Sequence, residues 1–319
     1  MNDGLVVQLL VSGIAFGTPL LIAALGELLS ERSGVLNLGL EGMMLMGAVC
    51  GFWVSQRMGG PEWLALTVAL GAAGGVGLLM GLLHGFMTIT LRANQIVSGL
   101  ALTILGGSIG LSSYLGQVGG LGDERGRHTF EKIDVLGLGD LPGIGPVLFH
   151  QSLIVYLSWV LTAAVAYYVF RTRAGQHLRA VGEDPRAADA MGIDVARYRY
   201  AHTLVGGALV GMAGASYTLA ITPNWSDGMT AGAGWIALAL VIFAFWRPGF
   251  VLIGAYLFGV VSSLGFNLQV RGVDLPPELF SALPYLLTVV VLVVVSNAWA
   301  KHRFGAPDAL GVPYVREEA

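Results

Sequence analysis

The stretch that decides the reading is RTRAGQHLRAVGEDPRAADAMGIDVARYR, Arg171 to Arg199, set between two long apolar runs. Six arginines fall in it (Arg171, Arg173, Arg179, Arg186, Arg197, Arg199), out of 17 Lys and Arg in the whole chain. A loop this rich in Arg beside apolar spans is retained on the cytoplasmic side of a membrane. Within it, Asp184-Pro185 reads as a helix start: the Asp side chain accepts from the first free N–H groups, and Pro is pre-set for the first helical position. Gly192 fits the stop, where the chain turns left-handed. The helix between them is about two turns, too short to persist alone in water. Ala187, Ala188 and Met191 recur at helical spacing and offer a stripe that can press on something. A docking helix and an ordinary linker helix both fit these signals.

Composition fixes the class. The chain has 319 residues, 55% hydrophobic and 12% charged, and a mean hydropathy of +0.72. Soluble domains carry about 25% charged residues, so the expected fold is all-α: one polytopic integral membrane domain over 1–319. A net charge of -3 and a pI near 6.1 argue against a nucleic-acid partner. Cys50 is the single cysteine, which excludes a disulfide framework and a thiolate metal cluster. MNDGLVVQ has neither a basic region nor a cleavage site, so the first apolar stretch reads as a retained span.

Nine apolar runs fall at 5–29, 36–55, 63–91, 96–115, 148–170, 200–221, 233–246, 250–266 and 279–299, against roughly 20 residues needed to cross. The run 233–246 is short, and a broken or half-inserted helix would make ten spans. With the arginine-rich loop 171–199 inside, the alternation places 222–232 outside, Arg247 inside, 267–278 outside, and the tail with Lys301, Arg303 and Arg316 inside. Backwards, 116–147 is outside, and Arg92 and Glu31-Arg32 are inside; Arg57 alone conflicts. The N-terminus is then outside and the C-terminus cytoplasmic. Loop 116–147 reads as an outer cap or as a disordered connection. Gly71/Gly75, Gly77/Gly81/Gly85 and Gly207/Gly211 have the four-residue spacing of close helix crossings.

Ser33-Gly34 interrupts the second run, and Asn37 and Glu41 follow four residues apart. A carboxyl within a span is costly and marks a wet path or a buried partner; the alternative is a position near the surface, nine residues beyond Arg32. Asn94, Gln95 and Ser98, in ANQIVSGLALTI, are further candidates for a path or for hydrogen bonds between helices. Trp225 reads as an interface anchor. There is no P-loop, no H-E-x-x-H and no G-x-S-x-G context, and the six histidines are scattered. The chain therefore reads as neither an enzyme nor an ATP binder.

RAVGEDPRAADAMGI (179–193) resembles the coupling-helix segment of ABC importer permeases of the branched-chain amino acid, ribose and nucleoside group. ERSGVLNLGLEGMMLMGA (31–48) is similar to a pattern of the nucleoside-type permeases. ANQIVSGLALTI, LALVIFAFWRPGFVLIGAYLFG (238–259), LPYLLTVVVLVVVS (283–296) and APDALGVPYVREE (306–318) extend the likeness over nearly the whole chain, 116–147 excepted. The resemblance implies a permease subunit in the bacterial plasma membrane, without a cofactor of its own, moving nucleosides inward. It implies an ABC ATPase subunit, a second permease, and an extracytoplasmic solute-binding protein as partners. It also implies that Glu183, Asp184, Pro185, Arg186, Ala187, Ala188, Met191 and Gly192 form the contact with the ATPase. A ribose-like sugar or branched-chain amino acid permease is the alternative substrate class. An ion-coupled carrier with Glu41 as coupling acid is the alternative mechanism.

Overall fold

In lipid each backbone N–H and C=O must find a partner within the protein, so apolar runs fold as helices. The computed structural model describes residues 4–270, 272, 276–295 and 305–316. Its helices are α1 (Leu5–Arg32), α2 (Leu40–Arg57), α3 (Glu62–Gly85), α4 (Gln95–Gly106), α5 (Leu111–Val118), α6 (Leu153–Arg171), α7 (Arg173–Glu183), α8 (Pro185–Ala190), α9 (Val195–Ser216), α10 (Ala233–Phe243), α11 (Pro248–Val270) and α12 (Pro277–Val295). Each of the nine apolar runs holds one, with α4 and α5 sharing a run broken at 107–110.

Among the described residues, six helical stretches are long and apolar enough to cross a membrane. That is fewer than the nine or ten expected; α2, α10 and α12 are the helices left out, and for the first two the reason is physical. The 18 residues of α2 include Glu41, Gln56 and Arg57, and α10 has only eleven residues. Those eleven reach about 16 Å at 1.5 Å per residue, half of a ~30 Å hydrocarbon core. Arg271, Asp274, Lys301 and Arg303, on which parts of the charge alternation rest, lie outside the described residues.

The core is built around α1, buried almost without a break from Gly13 to Glu31 and flanked by α9, α10 and α11. On its far side α9 crosses α3. There the expected small-residue contact is found: a Cβ on Gly77 would fall on the carbonyl of Gly207, whereas one on Gly71 would meet open space. Gly77→Ala should therefore cost about 1–3 kcal/mol through overpacking. Gly71→Ala should be neutral or stabilising by up to about 1 kcal/mol through helix propensity. Thermal unfolding in detergent separates the two; equal midpoints would remove the close crossing.

The 116–147 connection is ordered. Short strands β1 (Lys132–Asp134) and β2 (His150–Ser152) pair antiparallel, Lys132 opposite Ser152, the one departure from an all-α fold among the described residues. The connection is fastened to α2 and to the end of α9. Gln56 Nε2 donates to the Arg125 carbonyl at 2.6 Å, and Gln56 Oε1 accepts from Arg127 N at 2.9 Å. Phe130 N donates to the Leu219 carbonyl at 2.7 Å. Trp225 is not an exposed anchor: it is buried, with its ring against Gly116 of α5.

Candidate functional site

Between α1 and α2 the chain leaves helical geometry over 33–39, so its buried backbone groups need partners from elsewhere. The amides and hydroxyls singled out in the sequence supply many of them. Gln95 Oε1 accepts from Leu36 N at 2.7 Å, and Thr103 donates to the Leu38 carbonyl at 2.8 Å. Ser98 bonds His84 Nδ1 at 3.0 Å, and the other nitrogen of that ring meets the Leu36 carbonyl at 3.0 Å. Asn94 caps α4 by accepting from Val97 N at 3.1 Å. Asn37 lies before α2 rather than on one face of it with Glu41. Its side chain accepts from Gly39 N at 2.9 Å, and its own N–H donates to Glu27 at 3.0 Å.

Glu41 reaches across to the start of α10. Its Oε1 accepts from the Thr230 hydroxyl at 2.6 Å and from Gly232 N at 2.9 Å, and its Oε2 accepts from Gly234 N at 2.7 Å. The two backbone donors are among the orphan N–H groups that a helix N-terminus presents, and the negative charge suits the positive end of the helix dipole. Segment 222–232 thus folds back into the bundle to meet a half-length helix. The far end of α10 is held in the same way. Glu31 accepts from Trp246 Nε1, and Arg32 donates to the Trp246 carbonyl at 3.1 Å. Glu31, Arg32 and Glu41 all belong to one continuous sequence pattern, and in space they grip α10 at both ends.

Beside the α10 start lies a cavity of about 490 Å³ bounded by α1, the end of α9, α11 and α12. Phe16, Tyr217, Phe280 and Tyr285 give it aromatic walls; Thr230, Ser262 and Gln269 bring polar groups; among the described residues no charged side chain lines it. None of Asn37, Glu41, Asn94, Gln95 and Ser98 lines it either. Glu41 stands behind the wall and holds it. Sequence reasoning passed over Glu27, His84, Thr230 and Trp246. Glu27 and Glu31, four residues apart in an apolar run, were a signal available for the first.

At the α8 end the expected start and stop are in place. Asp184 Oδ1 accepts from Arg186 N and Ala187 N, each at 3.0 Å, Pro185 is the first helical residue, and Gly192 has φ +81°. The stripe is different from the one expected. Ala188 is buried against Val181 and Val195 of its own chain, whereas Arg186, Ala187 and Met191 are exposed, Met191 by 82%. The helix ends at Ala190, so Met191 belongs to the following turn, and successive helical residues point about 100° apart. Glu183 sits behind, 3.9 Å from Arg32. Helix α7, not foreseen, backs α8 through buried Val181.

The profile of the family described as "Branched-chain amino acid transport system / permease component" matches residues 9–292. A Haloferax volcanii permease protein assigned to glucose ABC transport is 38% identical over 97% of this chain and 98% of its own. A guanosine ABC transporter permease protein of Bacillus subtilis is 34% identical over 95% of each chain. A second guanosine permease protein of that organism is 23% identical over 88% of this chain and 79% of its own. A solved inward-facing transporter assigned to the metal-chelate ABC type shares the fold, with a TM-score of 0.51 at 15% identity over 90% of this chain and 85% of that one. A family match over most of the chain and full-length kinship at this level agree with the bundle and its half-length helix: the chain belongs to the permease-component family of branched-chain amino acid transport systems and is a membrane-spanning ABC permease subunit, not an enzyme.

Proposed function

We propose that this permease carries nucleosides into the cytoplasm, and that the cavity beside α10 is part of their path. The lining of that cavity carries the reading. Four aromatic rings suit a planar base, which gains about 1–3 kcal/mol from stacking, and Thr230, Ser262 and Gln269 suit ribose hydroxyls. A branched-chain amino acid would bring a carboxylate and an ammonium into a space where the described residues offer no charged side chain, and such charges need partners when desolvated. Its 490 Å³ falls within the roughly 300–1,000 Å³ of small-molecule sites. Kinship with the guanosine permease supports the same reading. Kinship with the protein assigned to glucose keeps a sugar as the second reading.

The chain would work in the plasma membrane as nine passes: α1, α2, α3, α4 with α5, α6, α9, α10, α11 and α12. The N-terminus is outside in this arrangement, and α8 is cytoplasmic. The two unequal guanosine permeases of one organism favour pairing with a second, different permease rather than with a copy of itself. An ATPase would dock on the exposed face of Arg186, Ala187 and Met191, and a solute-binding protein would deliver from the side of 116–147.

The test is ATP-driven uptake into vesicles holding the whole complex, comparing labelled guanosine, glucose and leucine. Guanosine should be taken up, and Tyr217→Ala should lower its uptake about tenfold, the loss of one stacking surface. Uptake of glucose alone, unaffected by Tyr217→Ala, would move the assignment to sugars.

A further inference from the structure

The sequence motif APDALGVPYVREE, at the end of the chain, has no part in the assignments above. Residues 305–315 form no helix, yet the segment through Arg316 is tied at point after point to the elements around α8. Ala309 N donates to the Gly182 carbonyl at 2.9 Å, and Gly311 N to the Gly34 carbonyl at 3.2 Å. Asp308 N reaches Glu183 at 3.4 Å. The Val312 carbonyl accepts from Arg199 at 3.1 Å, and that arginine is itself buried. Beyond these, the Tyr314 hydroxyl donates to Asp189 at 3.0 Å, Arg316 pairs with the same carboxylate at 3.1 Å, and Tyr314 packs on the Val181, Ala188 and Val195 cluster. One strand of chain thus joins the end of α1, the end of α7, α8 and the start of α9.

We propose that this C-terminal segment is a positioning strap that makes α8 move as one piece with α1 and α9; the proposal rests on α8 being the element that the ATPase moves. Six residues of helix cannot transmit a displacement if they hinge freely on flanking turns. The exposed residues of α8 and its following turn would meet the ATPase, while Asp189 and Ala188 on the other side are held by the tail. The strap adds nothing to docking itself. It determines how much of the movement of α8 reaches the membrane helices, and so how many substrate molecules cross per ATP.

The test uses the full complex in vesicles and the variant Tyr314→Phe with Arg316→Ala, which removes both contacts to Asp189 and leaves the backbone bonds of the strap. The ATPase should still co-purify, and uptake per ATP hydrolysed should fall about tenfold, within the usual range of coupling between sites. Arg316→Lys, which keeps the charge within reach of Asp189, should retain the ratio. An unchanged ratio in the double variant would overturn the proposal. So would loss of co-purification, because the tail would then be an ATPase contact and not a link behind one. Met191→Arg, run in parallel, reports separately on α8: if that variant keeps the ATPase, the docking assignment fails whatever the tail does.

Discussion

Met191→Arg should leave the permease folded and strip it of its ATPase. Met191 is 82% exposed in the turn after α8, so the substitution alone should change stability by no more than about 0.5 kcal/mol. In a docked interface the same guanidinium would be desolvated without a partner, at a cost of several kcal/mol. At about 1.4 kcal/mol per tenfold, co-purification and uptake should fall about a hundredfold or more, with the unfolding midpoint unchanged. Full uptake in Met191→Arg would exclude this face as the docking site. Ala188 is the wrong place for that experiment. It is buried between Val181 and Val195, so an arginine there would break the packing of the loop itself and confuse folding with docking.

The second large effect is expected at Glu41. Glu41→Ala takes the acceptor away from the Thr230 hydroxyl and from two backbone N–H groups. Each buried donor left unpaired costs about 1–3 kcal/mol, and three together approach the whole stability of many domains, about 5–15 kcal/mol. Glu41→Ala should therefore yield little folded protein. Glu41→Gln keeps one carbonyl oxygen as acceptor and should fold with a lowered unfolding midpoint. If Glu41 were instead a coupling acid in the path, Glu41→Gln would unfold like the parent and lose only transport. Measuring the midpoint and uptake on the same preparation distinguishes the two outcomes.

What the sequence made legible was local. Asp184, Pro185 and Gly192 act on backbone within a few residues, so the start and stop of α8 could be read directly. The nine apolar runs were readable because each satisfies its own hydrogen bonds as a helix. The duties of the polar residues were not readable. Glu41 bonds to groups 189 to 193 positions away, and Asp189 meets Tyr314 across 125; no periodicity contains such a pairing. The stripe on α8 failed at Ala188, which packs on Val181 and Val195 of its own chain while Ala187 and Met191 stay exposed. The cavity was invisible for the same reason as Glu41, its rings being drawn from Phe16, from Tyr217, and from Phe280 and Tyr285, on three separate stretches.

The grip on α10 also bears on how the cavity is walled. Glu41 and Glu31 hold the two ends of α10 to α2 and α1, and α11 lies along α1 so closely that a Cβ on Gly259 would fall on the Gly13 carbonyl. The walls that α1, α10 and α11 give the cavity are therefore packed directly on one another. A further wall, α12, leans on α11 where Phe280 meets Gly265, and it touches the α10 side where the Tyr285 hydroxyl donates to the Ala231 carbonyl at 2.7 Å. If this cavity is the substrate path, the Tyr285 hydrogen bond to the Ala231 carbonyl is the contact that ties α12 to the α10 side of it.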